Sequence, residues 1–226
     1  MPSFNEQISS RLSPRHLKSL ALARPFKNRT ILNIGCYNGW LEKYASEEGA
    51  VKVIGIDTNE KHVALAKKEV PKANFIKSSV LSLPFEKQSF DTICFFEVLE
   101  HLPKKSVSVA AEEISRVSKQ GGKLILSTPH HNIINNFSDP AWYLGHRHYN
   151  TGEVLKIFER VGFKPSTIEI KGGFFQITTL NLIYIFKWLF SKEIPFKNFL
   201  NRKREEEYLS NKQGIHTLFA VFVKEN

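Results

Sequence analysis

At 226 residues, with 42% hydrophobic and 24% charged side chains, the chain suits one sizeable α/β domain and is too short for two comfortable ones. Two cysteines, Cys36 and Cys94, make no disulfide framework, so a reducing, cytoplasmic setting is expected. The formal charge of +10 favours an anionic partner (nucleic acid, a lipid headgroup or a phosphorylated molecule) without choosing among them.

The predicted elements alternate. Met1 to Gln7 carries no basic segment followed by an apolar run, so no signal peptide is expected. Arg15 to Arg24 has helical apolar spacing and stops at Pro25. Thr30 to Ile34 is a β-branched, apolar strand. Leu41 to Glu48 is a short amphipathic helix closed by Gly49, and Val51 to Ile56 a second strand. Thr58 or Asn59 can cap a helix running to about Val70, which Pro71 ends. Ala73 to Lys77 is a short strand. Phe90 to Phe96 is apolar enough for a central parallel strand buried on both faces. Pro103 opens a helix to about Ser118, Gln120 to Gly122 is a turn, and Lys123 to Ser127 is a fifth strand. Pro129 to Asn150 is a polar, His-rich insertion without clear periodicity. Thr151 to Val161 is a capped helix, and Lys164 to Ile170 a strand. Phe174 to Phe190 is apolar, Lys192 to Asn211 basic and polar, and His216 to Lys224 a last strand. Such alternation implies a parallel sheet with helices on both faces.

In open sheets of this type, ligands bind outside the carboxyl ends of the strands, where strand order reverses. Five such ends carry plausible ligand chemistry: Gly35 to Gly39, Asp57, Ser78 to Val80, Glu97 to His101, and Thr128 to His131. The glycine turn lets a ligand approach the backbone. Asp57, eighteen residues beyond Gly39, can accept hydrogen bonds from both hydroxyls of a ribose. A nicotinamide dinucleotide usually needs a tighter G-x-G-x-x-G turn for its pyrophosphate, and a Walker-type loop is absent. The bulkier G-C-Y-N-G turn suits an amino-acid moiety, which needs a few polar contacts.

These blocks, from about Ile31 to Lys171, resemble the class I S-adenosylmethionine-dependent methyltransferases. ILNIGCYNG resembles the family's first motif, and VIGIDTNEKHVALAKK its second. SSVLSLPFEKQSFDTICFFEVLEHL resembles the stretch that closes over adenine and gives the fourth strand. GGKLILSTPHHN and GHRHYNTGEVLKIFERVGFKP resemble the fifth and sixth blocks. The resemblance implies a Rossmann-like, seven-stranded, mostly parallel sheet with helices on both faces and an antiparallel last strand. One domain is expected over 1–226, with an N-terminal helical segment at 1–28 and acceptor-side insertions at 129–150 and 172–213. The resemblance implies S-adenosyl-L-methionine as cofactor, held by Gly35, Tyr37, Gly39, Asp57, Thr58, Ser79, Val80 and Phe96. Three positions depart from the family pattern. Asn33 stands where an acid is usual, Tyr37 where a further glycine is usual, and Ser79 where Asp is frequent.

Methyl transfer chiefly needs alignment of the acceptor, and an oxygen acceptor also draws on a general base. Histidine suits that role near neutral pH. His101 leads the candidates, followed by His131 and His148, with His130 and His146 in the same blocks. Glu97, Glu100 and His101 form an E-x-x-E-H set that two branches of the family use with a divalent cation. The metal-free reading of the segment is preferred here. Cys94 is expected to be a buried thiol and Cys36 a small turn residue.

Phe174 to Phe190 is too short and too polar for a span, which needs ~20 mostly apolar residues. It is expected to pack internally or line the acceptor pocket. Peripheral membrane contact through 174–204 is the second reading, because basic residues follow the aromatics. The expected function is O-methylation of a small molecule such as a quinone precursor, a sugar or a lipid-linked glycan. The alternatives are RNA 2′-O-methylation, for which no stacking and basic interleaving is seen, and a non-catalytic cofactor-binding partner subunit.

Overall fold

The computed structural model describes residues 12–143, 145–191 and 193–225. In chain order the elements are α1 (Pro14–Ala23), β1 (Thr30–Ile34), α2 (Trp40–Glu47), β2 (Lys52–Asp57), α3 (Glu60–Glu69), β3 (Asn74–Lys77) and β4 (Phe90–Phe96). Then follow α4 (Val107–Val117), β5 (Ser118–Pro129), α5 (Ile133–Ser138), α6 (Pro140–Tyr143), α7 (Thr151–Glu159), β6 (Phe163–Lys171), α8 (Phe174–Phe190), α9 (Lys197–Leu209) and β7 (Thr217–Lys224). One sheet of seven strands forms in the order β3-β2-β1-β4-β5-β7-β6. The first five strands are parallel, while β7 runs antiparallel to both β5 and β6.

Hydrophobic pattern explains which strands sit centrally. Leu32, Ile93, Phe95, Leu124 and Leu126 are buried in one core layer, where Ala110, Ile114 and Val117 of α4 cover them. The opposite layer joins Leu20 and Ala23 of α1 to Ile31, Leu41 and Cys94. Cys94 is buried as expected, and so is Cys36; burial pushes both thiols up, which leaves them inert.

Three departures have physical causes. The Gln120–Gly122 segment does not break the strand: β5 begins at Ser118, and the irregularity is absorbed as a register shift between Phe90 and Thr92, with Gly121 at φ 68°. The insertion at 129–150 contains two short helices. α5 is started by Asn132, whose side chain accepts the Asn135 N–H; a run this short shows no period to read. The Lys192–Asn211 tract contains a helix, α9, which packs on both α1 and α8.

Gly55 in β2 is a tight spot. A Cβ there would overlap Glu42 Oε1 and lie 2.7 Å from Cys36 Cβ and Phe75 Cδ1. Gly55→Ala is therefore expected to destabilise the fold by about 1–3 kcal/mol in urea unfolding. Unchanged stability would show that the β1–β2–α2 packing yields to an added methyl group.

Candidate functional site

Strand order reverses between β1 and β4, and the carboxyl ends there open on a cavity of about 610 Å³. Gly35, Tyr37, Asp57, Thr58, Ser79, Val80, Phe96, Glu97 and His101 all line it. Gly35 adopts φ 81°, and a side chain there would overlap Val98 Cγ2, so the turn requires glycine. The turn is tied down by the Gly35 and Cys36 N–H groups, which donate to the Ile56 carbonyl at 2.8 and 2.9 Å.

Asp57 organises one end. Its Oδ1 accepts the Asn59 N–H at 2.9 Å, and its Oδ2 accepts the Tyr37 N–H at 3.2 Å and meets His62 Nδ1 at 3.2 Å. A backbone N–H thus orients each carboxylate oxygen, yet each oxygen retains acceptor capacity. Tyr37, exposed, lays its ring edge-on to His62 at 4.9 Å. Apolar walls come from Ile34, Ile56, Val80, Phe96 and Leu102. Ser79 Oγ accepts the Leu81 N–H at 3.2 Å, leaving its own O–H to donate. An acid for a ribose, apolar faces for a purine and a hydroxyl at the rim make a donor and acceptor set that fits an adenosyl group.

Gly39 departs from expectation. At φ 77° it starts α2, but it faces Phe75 and Val70 rather than the cavity, and a Cβ would stand 2.9 Å from Phe75 Cζ. It shapes the turn from beneath. Asn33 lines the cavity, and its Nδ2 donates to Glu42 Oε1 at 2.9 Å. Glu42 is fully buried, its Oε2 has no hydrogen-bond partner, and burial pushes its carboxyl up to about 8. The acid expected at position 33 is thus replaced by a neutral amide backed by a protonated carboxyl from α2.

At the other end, Glu97 closes β4 with φ 54°, a costly conformation for a residue with a side chain. Three bonds hold it: its N–H donates to the Ser127 carbonyl at 2.9 Å, Ser127 Oγ donates to Oε1 at 2.6 Å, and Arg15 Nη1 donates to Oε2 at 2.6 Å. Glu100 is buried, accepts from Thr128 Oγ1 at 3.2 Å, and is held well above the usual carboxylate range by desolvation and the neighbouring Glu97. His101 instead turns edge-on to His146, with ring centroids 4.4 Å apart. The E-x-x-E-H set is therefore directed to three different partners, and the described residues contain no group of three or more His, Cys, Asp or Glu side chains that could hold a metal ion.

The histidines separate. His101 lies in the cavity, and burial, with His146 beside it, lowers its basicity below the ordinary value, so it is neutral at pH 7. His131 and His148 are not in that cavity; they line a second one with Trp142, Arg147 and Tyr149. His148 is buried and uses both ring nitrogens, Nδ1 with Asn136 Oδ1 at 2.8 Å and Nε2 with Asp139 Oδ2 at 3.1 Å. It fastens the insertion. His130 is likewise tied to the Ile215 carbonyl.

Among the cavity residues not expected from the sequence are Arg15 and His16 from α1, Trp40 from α2 and His62 from α3. His16 stacks on Trp40 at 4.6 Å, and burial lowers its pKa to about 4. Trp40 and His62 had a signal, since one follows the glycine turn and the other stands five residues past Asp57. Arg15 had none, because 82 residues separate it from Glu97.

A glycine turn after β1 and an acid closing β2, meeting at the reversal point of a seven-stranded sheet, define a nucleoside-binding α/β fold with a methyltransferase strand order. A family model described as a methyltransferase domain matches residues 32–126. A probable S-adenosylmethionine-dependent methyltransferase of Mycolicibacterium smegmatis is 29% identical over 144 residues, covering 63% of this chain and 55% of that protein. The ubiquinone biosynthesis O-methyltransferase of Coxiella burnetii is 29% identical over 126 residues, covering 54% and 53%. The chain spans about half the length of the curated relatives it matches. Among solved structures, an S-adenosylmethionine-dependent methyltransferase from Mesorhizobium loti superposes with TM-score 0.67 at 18% identity, covering 96% of this chain and 100% of that one. The cyclase SpnF gives TM-score 0.68 at 19%, covering 95% and 83%. Over residues 32–126 the chain is similar to methyltransferase domains, and its fold is that of the class I S-adenosylmethionine-dependent methyltransferases.

Proposed function

We propose that the chain transfers a methyl group from S-adenosylmethionine to an oxygen of a small molecule. The observation that carries this reading is the shared cavity: the backbone-oriented Asp57 carboxylate at one end, and neutral His101 beside the fixed Glu97 at the other. Bound there, the cofactor would supply an electrophilic methyl on sulfur with a neutral thioether as leaving group. Asp57 would hold the ribose hydroxyls, Ser79 and Val80 the base, and the Gly35 turn the amino-acid end.

The acceptor enters on the side walled by Arg15, His16, Glu97 and His101. Neutral His101 can take the hydroxyl proton as the oxygen attacks. Arg15 is tied to Glu97, so the pair presents a fixed edge against which an acceptor is aligned. A phenolic or catecholic quinone precursor is the preferred acceptor class, in line with the ubiquinone-biosynthesis relatives. A reading without methyl transfer draws on one observation: a chain of the same fold is named a cyclase.

The test is radiolabelled methyl transfer to a panel of catechols and phenols. Label in an O-methyl product supports the reading; cofactor binding with no label passed to any of them favours the second. His101→Ala is expected to lower kcat by about 10²–10⁴-fold with little change in Tm. His148→Ala is expected to do the opposite, lowering Tm by several degrees because the bonds from its ring to Asn136 and Asp139 are lost. Equal activity loss in both, with equal Tm, would defeat the assignment of roles.

A further inference from the structure

Helix α8 is oriented inside out. Its buried residues are Gln176 and Thr179, whereas Tyr184, Ile185, Trp188, Leu189 and Phe190 are exposed, Trp188 by 83%. A helix packed on a core does the reverse. The internal packing expected for this segment therefore holds at its N-terminal end and fails over its last two turns. The orientation is fixed by charge-assisted bonds. The Glu207 carboxylate of α9 accepts the N–H groups of Gly173, Phe175 and Gln176 at 2.8–2.9 Å, and Arg204 Nε donates to Gln176 Oε1 at 2.7 Å.

The apolar surface continues on both sides. Phe196, 81% exposed, precedes α9, and the Phe199 ring lies 6.3 Å from that of Phe175. Helix α5 packs on α8 and exposes Ile133, Ile134 and Phe137. Basic groups are set among these residues. Lys187 and Lys197 line a groove of about 570 Å³ between α8 and α9, and the Arg202 guanidinium lies 5.9 Å over the Phe199 ring. Two of the cations already have acidic partners, Lys197 with Glu193 and Lys203 with Glu206, both at 2.7 Å. No helix among the described residues is long and apolar enough to cross a membrane.

We propose that α8, Phe196 and α5 form a face that docks on a lipid bilayer bearing anionic headgroups. Aromatic rings next to lysines suit the boundary between headgroups and acyl chains, where both the apolar and the cationic parts gain. The cations at the face select this occupant over a second copy of the chain, because Lys187, Lys197 and Arg202 meet opposite charge on anionic headgroups but like charge on an identical face. The proposal is independent of the acceptor's identity, so its failure leaves the methyltransferase reading standing.

The test is co-sedimentation of the full chain with sucrose-loaded vesicles, one set of phosphatidylcholine, the other with about one third phosphatidylglycerol. Binding to the anionic set is expected to be at least about tenfold tighter and to weaken with salt. The Trp188→Ala/Phe196→Ala and Lys187→Gln/Lys197→Gln pairs are each expected to weaken it by about tenfold, with Tm and cofactor affinity unchanged because these side chains lie at the surface. Three outcomes would overturn the proposal: binding to neither vesicle set, equal binding by the variants, or a homodimer in sedimentation velocity that Trp188→Ala dissolves without any vesicle binding.

Discussion

Replacing Asp57 by alanine is expected to weaken S-adenosylhomocysteine binding by about a hundredfold or more, measured by calorimetry. Two losses add. The ribose hydroxyls lose a charged acceptor. The Tyr37 and Asn59 N–H groups lose the carboxylate that sets the turn and the start of α3 around it. Asp57→Asn keeps one carbonyl oxygen and nearly the same shape, so it is expected to fall between the alanine variant and the native chain. Because the carboxylate lies at the cavity mouth rather than in the core, both variants should fold. Native-like affinity in the alanine variant would mean that the ligand sits elsewhere.

The second large effect is a pH dependence of stability arising from Glu42. Its carboxyl titrates at about 8 in the folded chain against an ordinary value of 4.5, because burial disfavours the charge and Asn33 supplies a single donor. Between these two values the folded chain keeps a proton that the unfolded chain has lost. Stability from this group is therefore complete below about pH 4.5 and declines as pH rises through 8. The decline is on the order of 5 kcal/mol. His16 and His216 act in the acid range with the opposite sign. Burial lowers them to about 4 and about 3, so the unfolded chain binds protons first and stability falls as pH drops from 6.5 toward those values.

Glu42→Gln isolates the first effect. Urea unfolding of variant and native chain at pH 5 and pH 8.5 should show the variant gaining several kcal/mol, relative to native, at the higher pH. A stability difference that does not change with pH would show that Glu42 is ionised in the folded state or is reached by water.

Much of this is legible in the sequence. β1 and β4 run as expected because β-branched and aromatic runs bounded by polar turns admit little else, and Phe174–Phe190 was bounded correctly as a segment. The placement of Asp57 and Gly35 at the cavity was legible because it depends on local order: strand, turn, helix, strand, acid. The histidines were not, since Asn136 and Asp139 decide that His148 is structural, and His101 differs only in which cavity it enters. Gly39 could be recognised as a turn glycine, but Phe75, 36 positions away, decides which side it faces. The outward face of α8 was hidden for a similar reason. Hydrophobicity alone would bury it, and the Glu207 and Arg204 contacts that orient it come from a helix later in the chain.

Glu42 shows how a departure from a motif can be offset nearby. Asn33 removes a charge from the end of β1, and a carboxyl reappears under the same turn from the first turn of α2, held neutral by burial. The cavity above it therefore has Asp57 as its anionic anchor at that end.

Equilibrium dialysis of the native chain with radiolabelled S-adenosylmethionine tests this assignment most directly. Saturable binding at one site, at roughly 1–100 μM and displaced by S-adenosylhomocysteine but not by a nicotinamide dinucleotide, is the result expected. No association of label with folded protein at millimolar concentration would contradict it.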